Sequence, residues 1–200
     1  MPRNRETEGR GTVSDQQQEV ELMRRTARGD AVAFRALADA HLAKIMNFAY
    51  RILHDRSDAE DVAQETFLRM WKDAPRYRPT ARLTTWLHRV AHNLCIDRLR
   101  KRRERPTDNL DEERSSTEPG GLLDRKRVAV DVGRALSELP ERQRVAITLV
   151  HYQGLSNVEA AEVLDIGVDA LESLLARGRR SLREKLLQHE SEEVEREHGR

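Results

Sequence analysis

The sequence has very little of the residue types that build covalent or metal-bound frameworks. Cys95 is the only cysteine among 200 residues, which excludes an intramolecular disulfide and a zinc site with several cysteine ligands. The seven histidines show no HExxH or similar ligand spacing, so we predict no metal. There is also no glycine-rich phosphate loop and no nucleophile–base pattern. The sequence therefore predicts no enzyme, no cofactor and no small-molecule substrate.

Aromatic residues and long apolar runs are also scarce. Aromatics make up 4% of the chain and charged residues 36%, so a core must come mainly from Leu, Val, Ile and Ala. Such a composition suits small helical domains better than a large sheet. No apolar run approaches the roughly 20 residues that a membrane-spanning helix needs, and residues 1–18 contain no apolar signal core. We therefore expect a soluble, cytoplasmic protein without membrane insertion.

Charge is abundant but unevenly distributed. The net charge is only +1, yet "RLRKRRER" at residues 98–105 is nearly all basic and "ESEEVEREHGR" at residues 190–200 is mostly acidic. A local basic block can bind phosphates even when the whole chain is nearly neutral. Nucleic acid is therefore a candidate partner.

Helical periodicity covers most of the chain, and no strand-like alternation stands out. We predict an all-α protein in which a flexible linker joins two small helical domains. The predicted segments are a disordered N-terminal tail at 1–18, a first domain at 19–103, a linker rich in Pro, Gly, Ser and charge at 104–123, a second domain at 124–187 and an acidic tail at 188–200.

Capping residues predict where several helices begin. Asp30, directly after Gly29, is expected to cap the helix that follows it. Ser57 with Glu60 has the pattern of a capping box and predicts the start of another helix. Pro140 fits the first turn of a helix in the second domain.

The stretch from Asn157 to Arg180 has the pattern of two short helices with a tight turn between them. A helix-turn-helix needs a small residue at the crossing and a turn residue that tolerates left-handed geometry, roles that suit Ala161 and Asp165. Its apolar positions are Leu164, Ile166, Leu171 and Leu174. On the outward side, Ser173 and Arg177 can face base edges. A packing hairpin in a helical bundle fits the same pattern, so spacing alone leaves both interpretations open.

Two features of the first domain suggest surfaces for partners. In "DAEDVAQETFLRMW", helical spacing puts Asp61, Gln64, Glu65 and Leu68 on one face, which can dock on a basic helix. An ordinary solvated face fits the same spacing, and spacing alone favours it. The second feature is the helix "LTTWLHRVAHNLCIDRLRKRRER", whose basic end suits phosphates and exceeds what the helix dipole needs.

Aromatic residues near that helix have two interpretations. Tyr77 and Trp86 can stack on unpaired bases, although core packing is the simpler explanation for Trp86. Loops on a rigid scaffold often carry specific contacts, which makes Tyr77 to Arg82 a candidate base-reading loop. Cys95 is most simply a small buried residue.

These motifs occur in a known order. "DAEDVAQETFLRMW" with "TTWLHRVAHNLCIDRLRKRR" resembles region 2 of bacterial RNA polymerase sigma factors. "LPERQRVAITLVHYQGLSNVEAAEVLDIGVDALESLLARGRRSLREKL" resembles their region 4. Because only a linker separates the two, the chain resembles the extracytoplasmic-function type of the sigma-70 family over about residues 19–187. The resemblance implies a transcription initiation factor that binds core RNA polymerase, directs it to −10/−35 promoters, opens the −10 element and is held inactive by an anti-sigma factor.

The resemblance also implies roles for matching positions. Residues that would bind the β′ clamp helices of core polymerase are Asp61, Gln64, Glu65 and Leu68. Residues that would contact the −10 element are Tyr77, Arg78, Arg82, Trp86, Arg89, His92, Asn93, Arg98, Arg100, Lys101 and Arg102. Residues that would contact the −35 element, in a domain seated on the β flap, are Asn157, Asp169, Glu172, Ser173, Arg177, Arg179 and Arg180. The alternative is a free-standing helix-turn-helix regulator that acts without core polymerase.

The predicted recognition helix departs from the family pattern T-V-K-S-R-L-x-R-A-R. Glu172 stands where that pattern has Lys, and Leu174 stands where it has Arg, while Ser173, Arg177 and Arg179 agree with it. Glu172 is either a solvated charge or an acceptor for a cytosine amino group. The domain is therefore recognisable as region 4, but the sequence of the −35 element that it would read does not follow from the resemblance.

Overall fold

A computed structural model describes residues 8–104 and 132–198, with side chains over 15–104, over 132–189 and at 191. Within these ranges all regular elements are helices, which confirms the prediction of an all-α fold. The predicted linker lies outside the described residues except for its first position.

The first half contains the helices α1 (Glu8–Thr26), α2 (Ala31–Leu53), α3 (Arg56–Asp73) and α4 (Leu83–Glu104), with a 3₁₀ turn at Ala74–Arg76. In the second half, helical residues 132–137 precede α5 (Glu141–Ile147), the π-helix Thr148–Tyr152, α6 (Asn157–Leu164) and α7 (Val168–His198). Helix α1 begins within the segment for which composition predicts a disordered tail.

The N-termini of α2 and α3 are fixed by aspartates. Asp30 accepts hydrogen bonds from the backbone N–H groups of Val32 and Ala33 at 2.9 and 3.1 Å, which confirms it as the cap of α2. The prediction that Ser57 and Glu60 form the capping box of α3 was wrong. The cap is Asp55, and Ser57 already lies inside the first turn. Asp55 accepts from the backbone of Asp58 at 2.8 Å, and its negative charge also suits the positive end of the helix dipole.

Helix α2 is the centre of the first half and packs against α1, α3 and α4. Its residues Phe48 and Ile52 are fully buried, as are Val62 of α3 and Leu87 of α4. Each such side chain contributes about 1.5–3 kcal/mol through burial. This packing makes α3 and α4 rigid supports for the surfaces they carry.

The helix-turn-helix has the predicted geometry. Asp165 adopts the left-handed conformation with φ 54° and ψ 50°, and Ala161 is buried at the crossing. Leu171 is fully buried, while Leu164, Ile166 and Leu174 are partly buried against the core. A capping box that the sequence analysis missed starts α6, although "SNVE" carries its signal. Oε2 of Glu159 accepts from the backbone N–H of Ser156 at 2.9 Å, and Oγ of Ser156 accepts from the backbone N–H of Glu159 at 3.3 Å.

A close crossing of α5 and α7 depends on Gly178. A Cβ atom at this position would lie 2.8 Å from Cδ1 of Ile147 and 3.3 Å from Cβ of Gln143. Glycine therefore lets the two helices approach more closely than a side chain would permit.

Cys95 is completely buried, as predicted, and burial raises the pKa of its thiol to about 12. The thiol therefore stays protonated and unreactive at neutral pH. No helix in the described part of the chain is long and apolar enough to cross a membrane. Residues 8–104 and 132–198 also contain no cluster of three or more His, Cys, Asp or Glu arranged to hold a metal ion.

Candidate polymerase and nucleic-acid interfaces

The face of α3 predicted to bind polymerase lies on the protein surface. Asp61 and Gln64 are exposed, Glu65 is partly exposed and accepts a hydrogen bond from Arg69 at 2.9 Å, and Leu68 is 48% exposed. The structure thus presents two carboxylates, an amide and an apolar side chain together. Such a face combines charge for steering with an apolar anchor.

Trp71 extends this face and was missed by the sequence analysis. It follows Leu68 by three residues, the helical spacing that could have revealed it. The residue is 36% exposed, and its ring packs edge-on against Phe34, with ring centroids 5.1 Å apart. A partly exposed, well-supported aromatic is the kind of residue that often dominates binding energy at an interface.

One stripe of α4 carries four of the eleven residues predicted to contact the −10 element, and a fifth lies beside it. Arg89 and Asn93 are exposed, Trp86 and His92 are partly buried, and Arg82 lies just before the helix. Burial lowers the pKa of His92, so its imidazole is mostly neutral at pH 7. Trp86 packs partly against the core, which leaves its remaining surface available at this stripe.

The loop before α4 is only partly accessible to a partner. Arg78 is exposed, whereas Tyr77 is half-buried and its hydroxyl donates to the carbonyl of Ala81 at 3.4 Å. Burial, with a smaller effect from the Glu19 carboxylate, raises the pKa of Tyr77. Its ring packs against the core, so stacking on a base requires this residue to leave its present contacts.

The structure divides the basic end of α4 into two groups. Arg98 donates to Asp58 and to Asp61, the latter at 3.2 Å. Arg102 donates to Asp58 and to the carbonyl of Leu53 at 3.1 Å, and it lies 3.2 Å from Asp55. These two arginines therefore hold the start of α3 to the end of α4.

A second group of basic residues at this end lies at the surface. Arg100 is exposed and pairs within its own helix with Asp97 at 3.1 Å. Lys101 is exposed as well. Their charges are therefore more accessible to phosphate than those of Arg98 and Arg102.

The predicted −35 residues of α7 form an exposed surface. The exposed side chains are Asp169, Glu172, Ser173, Arg177, Arg179 and Arg180. Asn157, at the start of α6, donates its amide to Oε1 of Glu172 at 3.3 Å and so joins both helices of the motif. Arg177 donates to the carbonyl of Ser173 at 3.2 Å. This surface contains both acids and cations.

The −10 stripe, by contrast, faces the second half of the chain. Arg82 lies 3.6 Å from Glu159, and Arg89 lies 3.9 Å from Asp165. These acids could not be connected with α4 from the sequence, because no local spacing reports a contact between residues more than 70 positions apart.

A helical domain with a basic helix and a second domain with an exposed helix-turn-helix together define a DNA-binding transcription factor. The family model for Sigma-70 region 2 matches residues 37–105, and the model for Sigma-70, region 4 matches residues 129–182. The chain belongs to the sigma-70 family of RNA polymerase sigma factors, and within it to the extracytoplasmic-function type.

Curated relatives agree with this assignment over most of the chain. The ECF RNA polymerase sigma factor SigW of Bacillus subtilis is 32% identical over 178 residues, covering 82% of this chain and 94% of the relative. The RNA polymerase sigma-H factor of Pseudomonas aeruginosa is 31% identical over 185 residues, covering 86% of this chain and 95% of the relative. The similarity thus includes both halves.

Two solved structures have a similar fold. CnrH, in complex with the cytosolic domain of CnrY, matches with a TM-score of 0.65 at 25% identity, covering 84% of this chain and 97% of CnrH. The sigma factor RpoE from Bartonella quintana, in complex with the anti-sigma factor NepR, matches with a TM-score of 0.63 at 25% identity. The match covers 76% of this chain and 96% of RpoE.

Proposed function

We propose that this sigma factor binds core RNA polymerase through α3 and directs it, in the cytoplasm, to promoters with −10 and −35 elements. The observation that carries the proposal is the exposed face of Asp61, Gln64, Glu65 and Leu68 on a chain that also has two potential DNA surfaces. A DNA-binding protein that acts alone has no need for such a docking face.

The α3 face suits the β′ clamp helices of core polymerase. Asp61 and Glu65 supply negative charge for a basic partner, while Leu68 and Trp71 supply apolar surface beside it. Charge complementarity mainly gives orientation and association rate, and buried apolar or aromatic anchors give most of the affinity. The two kinds of residue therefore have separate roles in docking.

We assign opening of the −10 element to α4 and the loop before it. Trp86, Arg89, His92 and Asn93 lie on or beside one stripe, where an extruded base can stack and form hydrogen bonds. Flipping a base costs a few kcal/mol, which pocket contacts must offset. Arg100 and Lys101 are placed to contact the flanking phosphates.

The outward face of α7 would read the −35 element while its domain sits on the β flap. Ser173 and Arg177 are the best placed to face base edges, and Arg179 and Arg180 can contact phosphates. Asn157 and Glu172 act as a pair in this assignment, because the side-chain amide of Asn157 donates a hydrogen bond to Glu172.

An anti-sigma factor is the expected inhibitor. CnrH and the sigma factor RpoE were each solved in complex with a protein partner, which for RpoE is the anti-sigma factor NepR. Because this chain resembles both over three quarters of its length or more, we propose that a comparable partner holds it inactive.

Run-off transcription with core polymerase tests the proposal. The triple variant Asp61→Ala, Gln64→Ala and Glu65→Ala is expected to weaken core binding at least about tenfold, in line with the loss of charged interface contacts. The control is Glu21→Ala with Asp39→Ala, which removes the same charge from exposed sites on α1 and α2. Unchanged core binding by the triple variant would overturn the docking assignment. Tight, specific duplex binding without polymerase would support a free-standing regulator instead.

A further inference from the structure

Helix α1 is part of the folded first half, although it lies outside the segment matched by the Sigma-70 region 2 model, which begins at residue 37. It packs against α2, against α4 and against the 3₁₀ turn Ala74–Arg76. Its residue Met23 is buried. The turn leads into the loop at residues 77–82, here called the −10 loop. Helix α1 therefore contacts the segment from which the −10 loop starts.

A polar pair that is mostly shielded from solvent joins α1 to α2. Nε2 of His41 lies 3.0 Å from Oε1 of Glu19, and the two side chains are only 5% and 24% exposed. By contrast, Glu21 and Arg24 of α1 lie 3.8 Å apart and are both more than half exposed. Shielded partners hold each other more firmly than exposed ones, because removing one leaves the other buried without a hydrogen bond. Glu19 is therefore a firm attachment point of α1.

Tyr77 ties the two ends of the −10 loop together. Its backbone N–H donates to the carbonyl of Ala74 at 3.2 Å, and its hydroxyl donates to the carbonyl of Ala81 at 3.4 Å. Tyr77 is half-buried, while Arg78 and Arg82 of the same loop stay exposed. A loop that is fixed before it binds loses less conformational entropy on binding than a free one.

The Glu19 carboxylate acts on Tyr77 as well as on His41. Burial raises the pKa of Tyr77, and the nearby Glu19 carboxylate raises it further. The packing agrees, since α1 contacts both α2 and the turn before Tyr77. Glu19 therefore lies where α1, α2 and the −10 loop come together.

We propose that Glu19, through its contact with His41, is a positioning residue for the −10 loop. It holds α1 against the support of Tyr77 and so keeps Arg78 and Arg82 in place to contact single-stranded promoter DNA. The inference rests on the proposed −10 role of this loop. Loosening α1 leaves the polymerase face of α3 unchanged, but the loop must then become ordered when DNA binds. The loss therefore falls on the contacts that distinguish one DNA sequence from another.

Four full-length variants on α1, each assembled with core polymerase, test the proposal. Glu19→Ala removes the contact with His41, whereas Glu19→Gln keeps an oxygen that can accept from the ring N–H. Glu21→Ala is the matched control, since it removes an exposed carboxylate from the same helix. Glu19→Asp withdraws the carboxylate by one methylene group and keeps its charge, so it takes the place of Glu19→Ala if that variant does not fold.

Fluorescence anisotropy measures how strongly each holoenzyme prefers the −10 non-template strand, from a promoter that the wild type opens, over a scrambled strand of equal composition. We expect Glu19→Ala to lower this preference about threefold to tenfold, the effect of ordering one or two side chains on binding. Glu19→Gln and Glu21→Ala should stay within about twofold of the wild type. A general loss of stability would instead weaken the binding of both strands alike. The proposal is overturned if Glu19→Ala leaves the preference unchanged, or if Glu19→Gln or Glu21→Ala lowers it as much.

Two loop variants separate this inference from the proposed function. If Arg82→Ala lowers the preference and Glu19→Ala does not, the −10 assignment stands and positioning by Glu19 fails. If neither Arg78→Ala nor Arg82→Ala lowers it, the −10 assignment of the loop fails, and the role proposed for Glu19 fails with it.

Discussion

Nη2 of Arg98 lies 3.2 Å from Oδ2 of Asp61, and this ion pair joins the proposed polymerase face to the proposed DNA-binding helix. Arg98 also pairs with Asp58, which Arg102 shares. Because Asp58 and Arg98 are each less than one third exposed, the network is better shielded than an isolated surface pair. We infer that Arg98 supports both surfaces structurally, whatever it contributes to DNA binding.

Replacing Arg98 tests this structural role. Arg98→Ala should lower the free energy of unfolding by about 1 kcal/mol, because Asp58 and Asp61 lose a partner within a network. Lys101→Ala on the same helix is exposed and should change stability by less than about 0.5 kcal/mol. Urea denaturation followed by circular dichroism measures both values. Equal values for the two variants would show that Arg98 has no structural role.

Local sequence signals predicted local structure well in this chain. The cap at Asp30, the left-handed turn at Asp165 and the burial of Cys95 each depend on a residue and its immediate neighbours. The cap of α3 was misassigned because the capping-box pattern at Ser57 competes with Asp55, and only the backbone geometry decides between them.

Contacts between distant helices explain what the sequence could not predict. Arg98 and Arg102 belong to a basic run typical of phosphate binding, yet each pairs with acids about 40 residues earlier in the chain. Spacing reports which residues share a helical face but not what that face meets. The same limit concealed the acids opposite Arg82 and Arg89, although the motifs themselves indicated the family.

The crossing at Gly178 should show coupling with Ile147. Gly178→Ala places a Cβ atom against Cδ1 of a buried residue, and such overpacking costs about 1–3 kcal/mol. The higher helix propensity of alanine offsets about 1 kcal/mol of this cost. Ile147→Val removes the clashing methyl group, so the double variant should be more stable than the sum of the single changes predicts, by at least about 0.5 kcal/mol. Additive free energies from urea denaturation would contradict the crossing as described.

Glu172 should weaken the contact of α7 with DNA. Its carboxylate is exposed near the start of α7, the proposed recognition helix, where a negative charge opposes phosphate. Glu172→Gln should raise the affinity of the holoenzyme for promoter duplex about threefold to tenfold at moderate salt. The matched control is Glu162→Gln, an exposed acid on α6.

Promoter substitutions separate repulsion from base reading at Glu172. Repulsion predicts the same gain for Glu172→Gln on every −35 sequence, measured by fluorescence anisotropy. If Glu172 accepts a hydrogen bond from a cytosine amino group, the variant should instead lose affinity only for the sequence that carries this cytosine. A sequence-specific loss would therefore contradict simple repulsion.

Two histidines of α4, the buried His88 and the partly buried His92, should make the fold sensitive to mild acid. Burial lowers the pKa of both His88 and His92. Around His88 lie the Thr84 carbonyl, Gln153, His41 and Lys44. Around His92 lie Asn93, Glu141 and Arg142, of which Glu141 favours the charged ring and Arg142 opposes it. At both sites, burial has a larger effect on the pKa than any of these partners.

The sign of the pH effect follows from these lowered pKa values. An unfolded chain binds the proton near pH 6.5, whereas the folded protein binds it only at lower pH. The contribution of both histidines to stability is therefore complete above about pH 6.5 and decreases as the pH falls towards their folded pKa values. The free energy of unfolding from urea titrations should decrease from pH 7.5 to pH 5.5 in the wild-type chain, and His88→Gln with His92→Gln should reduce this slope. A slope that is the same in both proteins would assign the acid sensitivity to other groups.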